Sequence, residues 1–129
     1  MLDSTVRDLA QGKNFAAFSF HLPSGDVSTH VMWVDADDEH VLINTEVERA
    51  KAKAVAKDPQ VTVTIWDQES PYRYAEVRGH VVATDSSSTA REHIDELSRK
   101  YTGAEYGGEI KSDRVILRIE PTRVRTWGL

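Results

Sequence analysis

Along the chain, apolar residues alternate with polar ones in several short stretches and shift to helical spacing in three others. That pattern predicts strands interrupted by short helices. Leu2, Val6 and Leu9 recur at helical spacing, with Asp3 or Ser4 placed to cap, and Gly12 ends that first helix. Phe15, Phe18 and Phe20 mark a strand over 13–22, and Pro23-Ser24-Gly25-Asp26 makes a turn of the Pro-then-Gly kind. A second strand over 27–34 completes a hairpin. A polar turn from Asp35 to Glu39 leads to a short apolar strand, Val41-Leu42-Ile43.

The period then changes. Thr45 and Glu48 have the spacing of a Thr-x-x-Glu capping box, which predicts a helix from Glu46. It is rich in alanine and stops before Asp58-Pro59, because a residue preceding proline avoids the helical region. Val61, Val63 and Ile65 alternate with Thr62, Thr64 and Trp66 as a strand. Another strand spans 72–84, kinked or bulged at Gly79. The cap-rich stretch 85–89 opens a helix through Ile94, Leu97 and Tyr101, and 102–113 forms a glycine-containing loop. Val115, Leu117 and Ile119 alternate until Pro121 breaks the strand, and 123–127 forms the last one. Most strand-to-strand links are too short for parallel crossovers. The expected fold is α+β or mainly β: an antiparallel barrel in one domain over residues 1–129.

Hydrophobic residues make up 40% and charged residues 29% of the chain, which suits a globular domain. A net charge of -5 gives no global support to nucleic-acid binding. With no cysteine there is no disulfide, thiol nucleophile or zinc-thiolate site. No apolar run approaches the ~18 residues of a membrane span, and residues 1–5 lack a signal-peptide pattern. The expectation is a soluble, cytoplasmic protein.

The motif search mostly excludes. The chain has no Gly-x-Gly-x-x-Gly, no phosphate loop of the Walker type and no Gly-x-Ser-x-Gly elbow. The histidines lack metal-ligand spacing. The strongest local signal is the basic row on the second helix. Arg49, Lys53 and Lys57 share one face, and Lys51 lies about 160° from Arg49 at 3.6 residues per turn. One cation can face an inner pocket while the others line an outer groove, although a solvated basic helix face has the same spacing. Trp33, Trp66, Tyr72, Tyr74 and Trp127 fall on or beside strands, as cofactor walls or simply as core.

Longer pieces carry a resemblance. Val41-Leu42-Ile43-Asn44-Thr45 is followed by Arg49-Ala50-Lys51 and then Lys57-Asp58-Pro59-Gln60-Val61. Pro71 to Gly79, Arg91 to Gly103, and Arg114 to Pro121 followed by Trp127-Gly128 add to it. In order and spacing the chain resembles the pyridoxamine 5′-phosphate oxidase-like split β-barrel superfamily, particularly its short actinobacterial members that use the deazaflavin coenzyme F-420. The resemblance implies a split β-barrel of about six to seven strands with a few short helices. It also implies a homodimer with cofactor sites at the interface and a small-molecule substrate.

The same resemblance implies site residues. Lys51 and Arg49 would hold the cofactor phosphate, with Asn44 and Thr45 beside them. His30, Val31 and Met32 would flank the ring. Tyr72 and Tyr74 would face the site from the partner, and Lys53 or Lys57 would attract the carboxylates of the F-420 tail. Members that bind FMN usually carry arginine at the place of His30, and true pyridoxamine phosphate oxidases have a C-terminal substrate segment that does not follow Leu129. The expectation therefore leans toward an F-420-dependent reductase. The alternatives are an FMN-dependent oxidoreductase of the same fold and a non-catalytic flavin or deazaflavin carrier. No catalytic acid or base stands out.

Overall fold

The computed structural model describes residues 1–86 and 88–129. Seven strands form one antiparallel sheet: β1 Phe15–His21, β2 Val27–Trp33, β3 Asp35–Ala36, β4 Val41–Glu46, β5 Gln60–Trp66, β6 Tyr74–Asp85 and β7 Arg114–Trp127. The helices are α1 Ser4–Gln11, α2 Ala50–Lys57 and α3 Ser88–Thr102. The strand order is β2-β1-β5-β6-β7-β4-β3. The sheet curls into a split β-barrel in which β2 and β4 approach each other without pairing.

Alternation fills the barrel. Phe18 and Phe20 on β1, Val63 and Ile65 on β5, Val77 on β6, Leu117 and Ile119 on β7 and Ile43 on β4 all point inward and are fully buried. Each large apolar side chain so buried contributes about 1.5–3 kcal/mol. α1 adds Val6, Leu9 and Ala10 to this core, and α2 adds Ala54 and Val55. Asp3 caps α1 by accepting from the Thr5 and Val6 N–H groups. α3 lies on the outer face of β4 and β7, where Ala90 packs against Leu42 and Ile116. Both faces of β4 are therefore covered, and every residue in it is buried.

Three sequence expectations change. Thr45 and Glu46 belong to β4, and α2 starts at Ala50 with Arg49 as cap and no side-chain capping bond. The capping-box pattern loses because pairing with β7 claims Thr45 and Glu46. Second, Asp35–Ala36, expected as turn, pairs with Val41 and Leu42 as a two-residue strand. Third, Pro121 does not end β7. The ladder with β6 shifts register there, with Gly79 opposite Pro121 and Arg78 opposite Arg123, so Thr122 is the extra residue of a bulge beside the proline. The expected strand number holds because joining the last two strands offsets the gain of β3. In the cap-rich stretch expected at 85–89, Ser87 lies outside the described residues.

Candidate functional site

An open cavity of about 340 Å³ lies at the unpaired seam between β2 and β4. Its walls come from distant parts of the chain. β2 gives Val31, Met32 and Trp33, β1 gives Phe15, and α3 gives Ile94 and Leu97. β4 gives Asn44 and Thr45, the start of α2 gives Arg49 and Lys51, and Tyr106 and Arg114 complete the lining.

The apolar wall is built by stacking. Trp33 lies parallel to Tyr101, with ring centroids 5.1 Å apart, and meets Tyr106 edge-on at 6.3 Å. Tyr101 is fixed from behind: its hydroxyl accepts from the Val34 N–H at 3.1 Å and donates to the Asn14 carbonyl. Burial pushes the Tyr101 phenol up to about 12. Lys100 ties the same corner together by donating to the Val34 carbonyl at 2.6 Å and the Ala10 carbonyl at 3.2 Å.

The opposite wall is cationic. Lys51 is only 8% exposed. Among the described residues its ammonium has no ion-pair or hydrogen-bond partner. Burial, followed by the charges of Arg49 and Arg114, holds Lys51 below the ordinary lysine value. One carboxylate answers these cations. Glu46 accepts from the Ser112 N–H at 2.7 Å, the Lys111 N–H at 2.8 Å and the Ser112 hydroxyl at 3.2 Å. The Ser112 N–H above all, opposed by burial, keeps this carboxyl below its usual range. Glu46 also lies 3.4 Å from Arg49 and 3.7 Å from Arg114. Against three cations it leaves the cavity net positive. The N-terminus of α2 adds backbone N–H groups and the positive end of the helix dipole.

Arg114 is held by a buried polar chain. Its Nε donates to Asn44 Oδ1 at 2.9 Å. Asn44 Nδ2 lies 2.9 Å from the Ala90 carbonyl and 3.0 Å from His93 Nδ1. His93 Nε2 lies 2.9 Å from Asp35 Oδ2. The guanidinium also sits over the Tyr106 ring, 5.3 Å from its centroid.

Of the residues singled out from the sequence, Lys51, Arg49, Asn44, Thr45, Val31 and Met32 meet at this cavity. His30 does not line it. Its ring packs edge-on against Phe20 at 5.2 Å, and burial followed by the Lys51 charge holds it below the ordinary histidine value. Lys53 points to solvent and pairs with Glu48 at 3.2 Å, and Lys57 is exposed. Tyr72 is 87% exposed, and Tyr74 stacks on Trp127 at 4.5 Å, so neither reaches the cavity of its own chain. Phe15, Ile94, Leu97, Tyr106 and the direct role of Arg114 were not singled out. The signal for Arg114 was its opening position in the last alternating run, which pairs it with Glu46 across the sheet.

A protein-family model described as pyridoxamine 5′-phosphate oxidase matches residues 2–128. No curated protein matches the chain. Among solved structures, one named F420 reductase superposes with a TM-score of 0.82 at 24% identity, covering 96% of this chain and 98% of that one. A conserved hypothetical protein of Mycobacterium tuberculosis gives 0.77 at 22% identity, covering 98% and 84%. A putative pyridoxamine 5′-phosphate oxidase from Listeria innocua gives 0.68 at 20% identity, covering 92% and 90%. At these identities the likeness is one of fold. The near end-to-end family match and the split barrel together make this chain a member of the pyridoxamine 5′-phosphate oxidase family.

Proposed function

We propose that the protein is a coenzyme F-420-dependent reductase. It would bind the cofactor at the seam cavity and direct hydride to a small unsaturated or electron-poor substrate. The observation that carries this reading is Lys51: a lysine only 8% exposed that lines the cavity, with no partner for its ammonium among the described residues, beside two arginines that share one carboxylate. A cation so placed suits an anionic ligand, because charge-assisted bonds to phosphate are the strong kind. The residues fit a phosphate-bearing flat-ring cofactor. Lys51, Arg49 and Arg114 would hold the phosphate, and Trp33, Phe15, Met32 and Val31 would wall the ring.

When bound, the reduced deazaflavin supplies the hydride. The chain supplies position and field. The α3 side excludes water through Ile94 and Leu97, and the cations fix the anionic end. Among the lining residues no carboxylic acid is aimed into the cavity, so Tyr106 or solvent gives the proton.

The functional unit would be a homodimer. Exposed Val31 at the cavity rim is 69% accessible, and the exposed Tyr72 lies away from its own site, so a second copy would cover the first and contribute the second, with Tyr74 near by. Titration with F-420 and with FMN, followed by fluorescence, tests the reading. Tighter binding of F-420, weakened about tenfold in Lys51→Ala, is expected. A preference for FMN moves the protein to the flavin branch. Binding that ignores Lys51→Ala sinks the phosphate assignment.

A further inference from the structure

We propose that Asn44 and His93 are positioning residues, acting on the bound anion through Arg114 and not by touching it. The proposal rests on the reading of the seam cavity as an anion site.

The hydrogen-bond directions lead to it. An arginine Nε–H can only donate. The atom of Asn44 facing it at 2.9 Å must therefore be the amide oxygen. That turns the Asn44 NH₂ toward the Ala90 carbonyl and His93 Nδ1, which must then accept. The His93 proton is left on Nε2, where it is donated to Asp35. Donors thus run one way, from Arg114 through Asn44 and His93 to Asp35. Flipping the Asn44 amide would set its NH₂ against the Arg114 Nε–H and its oxygen against the Ala90 carbonyl, and a proton on His93 Nδ1 would face the Asn44 NH₂.

Asn44 borders the cavity, yet both of its amide protons and its oxygen are engaged behind the lining. Little of it is left for a ligand. Arg114 lines the cavity, with Nη1 3.7 Å from Glu46 and its guanidinium carbon 5.3 Å from the centroid of the Tyr106 ring, another lining residue. The chain also crosses elements: β7 carries Arg114, β4 carries Asn44, α3 carries His93 and β3 carries Asp35. The seat of α3 on the sheet therefore sets the aim of the guanidinium.

A double-mutant cycle separates positioning from plain structural support, since residues acting through one another are non-additive. The probe is inorganic phosphate, titrated calorimetrically at fixed ionic strength. Arg114→Met should weaken binding about tenfold, the scale of one charge-assisted bond. Asn44→Ala should weaken it about fivefold with Arg114 present and have no further effect in the Arg114→Met background. An Asn44→Ala loss that persists in full without Arg114, or no loss at all, overturns the positioning role and leaves the anion site standing. Phosphate binding indifferent to Arg114→Met overturns the positioning role, and no phosphate binding at all overturns the anion site with it. Should Asn44→Ala fail to fold, the unmodified protein still decides. Nitrogen NMR of the His93 ring should show the proton on Nε2 and a bare Nδ1, and a protonated Nδ1 overturns the chain.

Discussion

The Glu46 carboxylate stands 3.7 Å from the Arg114 guanidinium, with both side chains almost wholly withdrawn from water. Among the described residues, Arg49 and Arg114 pair with this carboxylate and no other. Glu46 thus does two opposing things. It anchors the 111–112 backbone, which stabilises the fold, and it cancels part of the charge that would attract an anion.

Glu46→Gln should separate the two effects. The amide keeps an oxygen for the Lys111 and Ser112 N–H groups but loses the charge. Stability should fall by about 2 kcal/mol in urea denaturation, the scale of bonds to a charged acceptor. Phosphate should bind more tightly. The acid limb follows from the same group. Its folded-state value lies below its unfolded one, so its contribution is present above the ordinary carboxylate value and lost as pH falls below it. Glu46→Gln should flatten that limb.

Lys51 must be protonated to hold an anion, and its value is depressed by burial and then by Arg49 and Arg114. Phosphate affinity should therefore decline with rising pH before an ordinary lysine would titrate. Binding in that range should take up a proton, seen as a buffer-dependent calorimetric heat. In Lys51→Met the alkaline decline should vanish. The empty protein should unfold at a higher temperature, because a buried charge between like charges has been removed.

Tyr101 is held neutral by burial, up to about 12. A phenol raised in the folded state stabilises below its unfolded value and loses that contribution as pH climbs toward the raised one. The alkaline limb of the stability profile should fall from about 10 upward, and Tyr101→Phe should remove that fall. At neutral pH the same variant should lose about 1–2 kcal/mol, since the Val34 N–H is left unpaired.

Gly79→Ala tests the bulge. A Cβ there would come within 2.1 Å of the Glu120 carbonyl oxygen, a backbone atom that cannot step aside. Destabilisation of about 3 kcal/mol is expected, at the severe end for single substitutions. Phosphate affinity in the folded fraction should be unchanged, because Gly79 lies outside the lining.

Much of this architecture was legible in the chain. The alternation of Val61, Val63 and Ile65 marks an inward face because one side of β5 is buried and the other is not. Long-range pairing was not legible. The capping-box pattern at Thr45 and Glu48 is a local signal, overruled by a strand more than sixty residues away in sequence, as Thr45 opposite Val115 shows. The site was half legible for the same reason. Arg49 and Lys51 stand close together in sequence, so their pairing could be read. The Arg114–Asn44–His93–Asp35 chain joins four elements, and no local pattern announces it.

The strand order has a consequence for synthesis. β4 has only two neighbours in the sheet, the two-residue β3 and the final strand β7. While the chain emerges, β1, β2 and β5 can already pair, but Asn44, Thr45 and Glu46 have no lasting partner until 114–127 has been made. Such late, distant pairing is slow to form. The anion site would then be among the last features of the barrel to appear on a ribosome-bound chain, and ligand capture would report that the sheet has closed through β7.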